Sequence, residues 1–417
     1  MDNPARAAHT APMETRADLL VTGGGLAGPL TALAAARSGL RSVVVDALPR
    51  DTRAAPDFDG RAYALALTSC RMLRHLGLWD RLAPHAQPIL DITVSDGRAG
   101  EGASGPALHF DHAEIEEGPM GHLVQDRHLR AALLDAMDAE ARVTHLAGET
   151  VTAQDVAPGH VTLSLASGDS LRGALLVGAD GRQSGTATRA GIARQGWGYG
   201  QKAVVCAVAH ARPHHGHAHQ FFMPGGPLAI LPLTGNRSAV VWSEEETRAA
   251  ALMAMDDKAF LAALRPAFGS FLGDLALVGR RFSYPLGLTL ADRMTGPRLA
   301  LVGDAAHGVH PIAGQGLNAG LRDVAALAHV LDAARQRGED IGAAQVLDRY
   351  AAWRRFDTLT LGAATDGLNR LFSNDNALVR GLRGLGLGMV GSLPVLRRAF
   401  IREAAGLTGD LPDLMRA

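Results

Sequence analysis

The chain has 417 residues, with 41 Lys plus Arg against 42 Asp plus Glu and a net charge of −1. At roughly 150 residues per domain, that length suggests two or three domains. The neutral balance lacks the cationic field of a nucleic-acid binder, and a hydrophobic content of 47% excludes global disorder. In chain order, residues 1–16 are rich in Ala, Pro and charge and read as frayed. Residues 17–21 predict a short strand, followed by Gly23-x-Gly25-x-x-Gly28 and a helix with Leu26, Leu30 and Leu33 on one face. Arg37 and Gly39 close that helix, and residues 42–45 form a second buried strand ending at Asp46. Leucines recur at helical spacing from 62 to 82, and residues 89–117 alternate like short strands. A helix is expected over about 126–140, and a buried strand over 175–177 runs into Gly178-Ala179-Asp180-Gly181. Residues 200–245 read as strands with Gly, Pro and Asn turns, and 299–302 as a buried strand again. Residues 317–335 and most of 343–405 read as helical.

Two cysteines, Cys70 and Cys206, far apart, exclude a disulfide scaffold and suit a reducing compartment. No apolar leader opens the chain, and no uncharged apolar run nears the ~18 residues of a membrane span. A cytoplasmic protein is expected, with contact to a membrane surface left open.

Two segments carry the chemistry. In the first, Gly23, Gly25 and Gly28, with Leu26 and Ala27 between, allow a tight turn and let the backbone approach a pyrophosphate. The helix that follows offers free N–H groups and its positive end. Asp46 stands where a carboxylate accepts from ribose hydroxyls, which suits FAD or NAD and disfavours a 2′-phosphate. An ordinary glycine turn in a βαβ crossover is the plainer alternative. In the second, a buried strand delivers Gly303-Asp304 to its carboxyl end, and a Gly/Pro loop leads from His310 and Pro311 through Gly314, Gln315 and Gly316 into a helix. That helix start can stabilise an anionic ring.

Together these segments resemble the three FAD fingerprints of class A flavoprotein monooxygenases of the para-hydroxybenzoate hydroxylase type. They are Gly23 to Gly28, Gly178-Ala179-Asp180-Gly181, and Gly303-Asp304. His310 to Asp323 matches the His-Pro-x-Ala-Gly-Gln-Gly-x-Asn-x-Gly-x-x-Asp signature of the UbiH/UbiF/VisC family, the ring hydroxylases of ubiquinone biosynthesis. Arg61-Ala62, Leu76-Gly77-Leu78-Trp79, Gly121-His122-Leu123-Val124-Gln125 and Arg354-Arg355-x-Asp357 look like the family too.

The resemblance implies an α/β (α+β) fold: a Rossmann-like FAD-binding domain with an inserted mixed β-sheet substrate domain and a C-terminal helical segment. The FAD-binding parts would be 1–88, 121–192 and 283–345, the substrate-domain sheet 89–120 and 193–282, and the C-terminal helices 346–417. It implies that Asp46 holds the adenosine ribose and that Arg61, Gln125 and Arg127 lie at the cofactor. Asp180 would brace the central fingerprint, and Gly303 and Asp304 would bind the ribityl or pyrophosphate portion. Pro311, Gly314, Gln315 and Gly316 would line the isoalloxazine, with the Leu317 and Asn318 N–H groups at its N1/C2=O edge. His307 and His310 fall beside the ring, His310 as a candidate hydrogen-bonding group. No catalytic side chain is firmly assigned, because FAD carries the hard chemistry. The implied reaction is reduction of FAD by NADPH or NADH, O2 addition to give a C4a-hydroperoxide, and transfer of OH to a polyprenyl phenol. Another aromatic or lipid substrate, or a non-catalytic FAD-binding component of a biosynthetic complex, are the alternatives. The expected partners are that substrate, a ubiquinone-biosynthesis complex and the surface of the inner membrane, with no nucleic acid; oligomerisation is left open.

Three departures from the family stand out. Asp46 replaces the usual Glu, and Gln125-Asp126 replaces Glu-Asn. Ala187 stands where an arginine usually follows Ser184 by three residues, the nearest being Arg189, which bears on NAD(P)H handling. His210, His214, His215, His217 and His219 form a run with no Cys or acid cluster beside it. It reads as a solvated polar hairpin loop, with no metal site expected. Residues 384–396, flanked by Arg397, Arg398 and Arg402, read either as a core helix or as a contact for lipid.

Overall fold

The computed structural model describes residues 14–56, 60–98, 102–309, 314–355 and 393–417. The expected βαβ unit forms as β1 (Glu14–Thr22), α1 (Ala27–Arg37) and β2 (Ser42–Asp46). All five residues of β2 are buried, because a parallel strand covered on both faces needs a continuous apolar run. The alanines of α1 let it lie close to the sheet, and α2 (Arg50–Ala54) follows.

The helix expected over 62–82 is instead β3 (Ala62–Ala66), α3 (Leu67–His75) and α4 (Trp79–Leu82). Pairing of β3 with a distant strand overrides the leucine spacing, and Gly77 at φ 72° breaks the helix between α3 and α4. Next come β4 (Gln87–Ile89), β5 (Asp91–Arg98), β6 (Gly102–Asp111), β7 (Gly121–Gln125) and α5 (Asp126–Ala139). They are followed by β8 (Val143–Ala147), β9 (Val151–Ala157), β10 (His160–Leu165), β11 (Ser170–Gly178) and α6 (Gly185–Arg189). The long strands β12 (Arg194–His210), β13 (His217–Met223), β14 (Gly226–Leu233) and β15 (Arg237–Glu245) lead into α7 (Glu246–Ala254), α8 (Asp257–Phe268) and β16 (Leu275–Ala291). Then β17 (Thr295–Gly296), β18 (Leu299–Leu301) and β19 (His307–Gly308) precede α9 (Gln315–Gln336).

The first sheet has the order β17-β18-β11-β1-β2-β8, with β10 and β9 continuing from β11. β18, β11, β1, β2 and β8 are parallel, and their apolar runs pack with α1 and α9 in the main core. The second sheet has the order β19-β16-β12-β15-β14-β13-β5-β6. One face is covered by α7 and α8 through Trp242, Phe260, Leu264 and Phe268. The other packs Leu233 and Ala239 against Leu123 of the small β3-β7-β4 sheet.

Two expected boundaries move. β16 runs unbroken from Leu275 to Ala291 within the second sheet, so that sheet does not stop at 282. Val346, Leu347, Tyr350 and Met415 are buried in the main core, whereas Ile401, Ala405 and Leu407 pack with Leu67, Ile89 and Ala218, so the described C-terminal residues do not pack as one unit. The histidine run is not a solvated loop. His210 ends β12, buried, with Nδ1 on the Arg212 carbonyl and Nε2 on Ser238. His217 and His219 lie on β13 with stacked rings, so strand pairing has claimed most of the run. Among the described residues no cluster of His, Cys, Asp or Glu could hold a metal, and no helix is long and apolar enough to cross a membrane. Both cysteines are free and buried.

Candidate active site

The three glycine segments meet at one edge. Thr22 pairs with Gly178, and Gly178 with Leu301, so β1, β11 and β18 end level. The Gly23 N–H donates to the Val45 carbonyl (2.8 Å), Ala179 N–H to Thr22 (2.9 Å) and Val302 N–H to Gly178 (3.0 Å). Open α/β sheets bind ligands at this place, outside the carboxyl ends of the strands.

The local chemistry fits FAD. Gly23, at φ 104°, lies against Ala179 and Asp180, and a Cβ on Gly28 would drive into the Gly23 carbonyl oxygen. These two glycines let the turn close. Apart from its chain neighbours, a Cβ on Gly25 would meet no atom of the described residues within 4 Å, which leaves space where a pyrophosphate can lie. α1 starts with no side-chain cap and no acid in its first turn, and α9 starts the same way from Gly314 in the left-handed region. Uncapped helix starts of this kind suit an anion. A Cβ built on Gly303 comes 3.5 Å from the Ala27 Cβ and 3.9 Å from the Gly320 Cα. The Gly303-Asp304 turn therefore sits between α1 and α9.

Asp304 is half-exposed at this edge and pairs with Arg182 at 3.2 Å. Arg182 also donates to the Val309 carbonyl (2.9 Å). Sequence reasoning missed Arg182, although a cation directly after Gly178-Ala179-Asp180-Gly181 was a usable signal. The Asp180 carboxylate accepts from the Ser184 and Thr186 hydroxyls and the Thr186 N–H, so it braces the central fingerprint from within. Ala187, at the departed position, is buried, and its N–H is capped by Ser184; Arg189 reaches back to the Thr186 hydroxyl at 3.4 Å.

Asp46 differs from the expectation. It is buried, and its carboxylate takes Arg53 Nε (2.8 Å), Arg53 Nη2 (2.9 Å) and the Leu48 N–H (3.1 Å). The short acid has turned to Arg53 and is not presented as an open ribose acceptor. Arg53 is itself placed by Arg130, which donates to its carbonyl and pairs with buried Asp126. Asp126 thus looks inward, while Gln125 accepts from exposed Arg127 at 2.9 Å. Arg61 lies over the rings of Tyr63 (5.5 Å) and Tyr284 (5.1 Å), at the seam between the two domains.

His310 and Pro311 lie outside the described residues. Asn318 is buried as a clamp: Oδ1 accepts from the Ala66 N–H (2.9 Å) and Ser69 hydroxyl (2.8 Å), and Nδ2 donates to Ala64 (2.8 Å) and Gly314 (3.1 Å). The Asn318 side chain is thus committed within the protein and is not offered to a ligand. His307 is buried, with Nε2 2.6 Å from Asp323 Oδ2. Asp323 also binds the Gly303 N–H (2.9 Å) and Arg354 Nε (2.7 Å). Burial would raise its pKa, but His307 and Arg354 outweigh that and hold it below the carboxylate range. Burial opposes the charge on His307, yet Asp323 raises its pKa above the usual value.

A family described as an FAD binding domain matches residues 16–357. The chain is 46% identical over 403 residues to the ubiquinone hydroxylase UbiL of Rhodospirillum rubrum, covering 96% of this chain and 92% of that protein. The chain belongs to the UbiH/UbiF/VisC family of FAD-dependent hydroxylases. Another member, the 3-demethoxyubiquinol 3-hydroxylase of Escherichia coli, is 32% identical, covering 94% of this chain and 98% of its own. The solved p-nitrophenol 4-monooxygenase PnpA of Pseudomonas putida shares the fold, with a TM-score of 0.78 at 22% identity over 95% of this chain and 99% of its own. The protein is an FAD-dependent monooxygenase of this family.

Proposed function

We propose that this monooxygenase hydroxylates the aromatic ring of a polyprenyl phenol in ubiquinone biosynthesis, using NADH or NADPH and O2. The observation that carries the reading is near end-to-end similarity to a ubiquinone hydroxylase, joined to a cradle whose three fingerprints converge. Bound FAD supplies the redox chemistry and the activation of oxygen. The chain's own residues bind and orient. The α1 start and Gly25 would receive the pyrophosphate, and Asp304 the neighbouring hydroxyls. The α9 start at Gly316, Leu317 and Asn318 would face the N1/C2=O edge, favouring negative charge there. On the second sheet beside Arg61, Ala203, Val205 and Leu286 are buried next to Val241, Phe282 and Tyr284. Such walls exclude water and suit a neutral ring.

The protein would work in the cytoplasm at the inner membrane. There the helix Pro394–Ala404 would meet lipid or a partner of the biosynthetic complex, since Val395, Leu396 and Phe400 on it and Leu393 just before it are exposed. The test is oxygen uptake with NADH or NADPH and a short-chain prenyl phenol, with the product followed by mass spectrometry. Product heavier by one oxygen atom supports the reading. NAD(P)H oxidation that yields only hydrogen peroxide with every prenyl phenol, but hydroxylates another aromatic, overturns the substrate class.

A further inference from the structure

We propose that Asp323 is a positioning residue for the cofactor, acting through Gly303 to set the Asp304 carboxylate. The proposal rests on the reading that Asp304 touches FAD. Asp323 lies in the third turn of α9, fully buried, so it cannot meet a ligand itself. Its carboxylate gathers donors from three separate parts of the chain. Oδ2 accepts the Gly303 N–H (2.9 Å) and His307 Nε2 (2.6 Å), and Oδ1 accepts Arg354 Nε (2.7 Å).

Gly303 links the two carboxylates. It sits at φ 59°, a conformation open to glycine, and it directly precedes Asp304. One turn earlier on α9, a Cβ on Gly320 would come within 3.1 Å of the Gly303 Cα. α9 thus grips the turn twice, by one hydrogen bond and by one bare stretch of backbone. With the Gly303 N–H drawn inward to Asp323, the next side chain, Asp304, points outward, 43% exposed and paired with Arg182. His307 and Arg354 flank Asp323 and keep its carboxylate aimed at the turn. Arg354 arrives from the helical residues 344–355, where the Tyr350 hydroxyl also donates to the Leu301 carbonyl (2.7 Å), two residues before the turn. The Gly-x-x-Asp that ends the family signature, Gly320 to Asp323, therefore holds the third fingerprint and does not line the ring.

The test is a double-mutant cycle on FAD affinity of the apoprotein, read by quenching of flavin fluorescence. Asp304→Asn and Asp323→Asn should each weaken FAD binding at least tenfold. The double variant should be within threefold of the weaker single, because Asp323 works only through Asp304. Losses that multiply in the double variant overturn the proposal, as does wild-type affinity in Asp323→Asn. Wild-type affinity in Asp304→Asn removes the ligand role of Asp304 and the proposal with it, whereas FAD binding by the wild type remains a separate result. If Asp323→Asn does not fold, as judged by its apoprotein melting curve, Gly320→Ala takes its place in the cycle with the same criteria. His307→Gln keeps an N–H donor for Oδ2 and should hold FAD within threefold of wild type, while His307→Leu should not. Equal loss in both His307 variants would contradict the positioning role.

Discussion

At the scale of single residues, two carboxylates that look alike in the sequence have different jobs. Asp304 is half-exposed at the strand ends, so Asp304→Ala should remove a cofactor contact and little else. A hydrogen bond to a charged group is worth about 1.5–3 kcal/mol, so the FAD dissociation constant should rise roughly 10- to 150-fold, with the apoprotein melting temperature almost unmoved. Asp46 is buried against Arg53, so Asp46→Ala breaks a largely buried pair. It should cost about 2 kcal/mol of apoprotein stability, measurable by urea denaturation before any flavin is added. Asp46→Ala paired with Arg53→Met should recover part of that loss. An apoprotein of unchanged stability in Asp46→Ala would mean that the acid serves the ribose alone.

At the scale of elements, the α9 start is the sharpest case. Among the described residues a Cβ on Gly316 would meet only the Val309 Cγ2, at an ordinary 3.5 Å, so these leave room for a side chain there. Gly316→Val should therefore melt close to wild type. A side chain between the helix end and the ring should weaken a dipole contribution of about 1 kcal/mol, lowering the two-electron flavin potential by roughly 20 mV. Potentiometric titration of the holoprotein checks this; an unchanged potential with a large melting shift would make Gly316 a turn residue only. The glycine loops were legible in the sequence because their geometry is set by near neighbours: a turn at Gly23, a close approach at Gly28. β3 was not, because its strand form depends on β7, some sixty residues away, and leucine spacing reports only local preference. The partners of Asp46 and Asp323 were hidden for a like reason. Nothing local says that Asp46 turns to Arg53, or that His307 turns inward to Asp323. Arg182 adjoins a fingerprint and was within reach of the sequence; its pairing with Asp304 across 122 residues was not.

At the scale of the whole molecule, the buried charges set a pH window. His307 has a pKa raised above its ordinary 6.5, so its charge contributes stability that is full below about 6.5 and is lost as pH climbs through the raised value. Asp323 has a pKa lowered below 3.8, so its contribution is full above about 3.8 and is lost as pH falls through the lowered value. Melting temperatures across pH should show both arms, and His307→Gln should flatten the alkaline one; an unchanged alkaline arm would mean that His307 is neutral in the fold. The layout of the first sheet also fixes when the cradle can exist. Its first fingerprint leaves the ribosome early, but the strands that carry the other two, β11 beside β1 and β18 beyond β11, come later, and the Asp323 cluster waits for Arg354. The roughly 330 residues between Thr22 and Arg354 take roughly 20–70 s to synthesise at about 5–20 residues per second. Until β8 and β11 emerge, the apolar strands β2 and β1 lack their outer partners and the nascent chain should depend on holding chaperones; flavin should be captured only after Arg354 has been made, when translation is nearly complete.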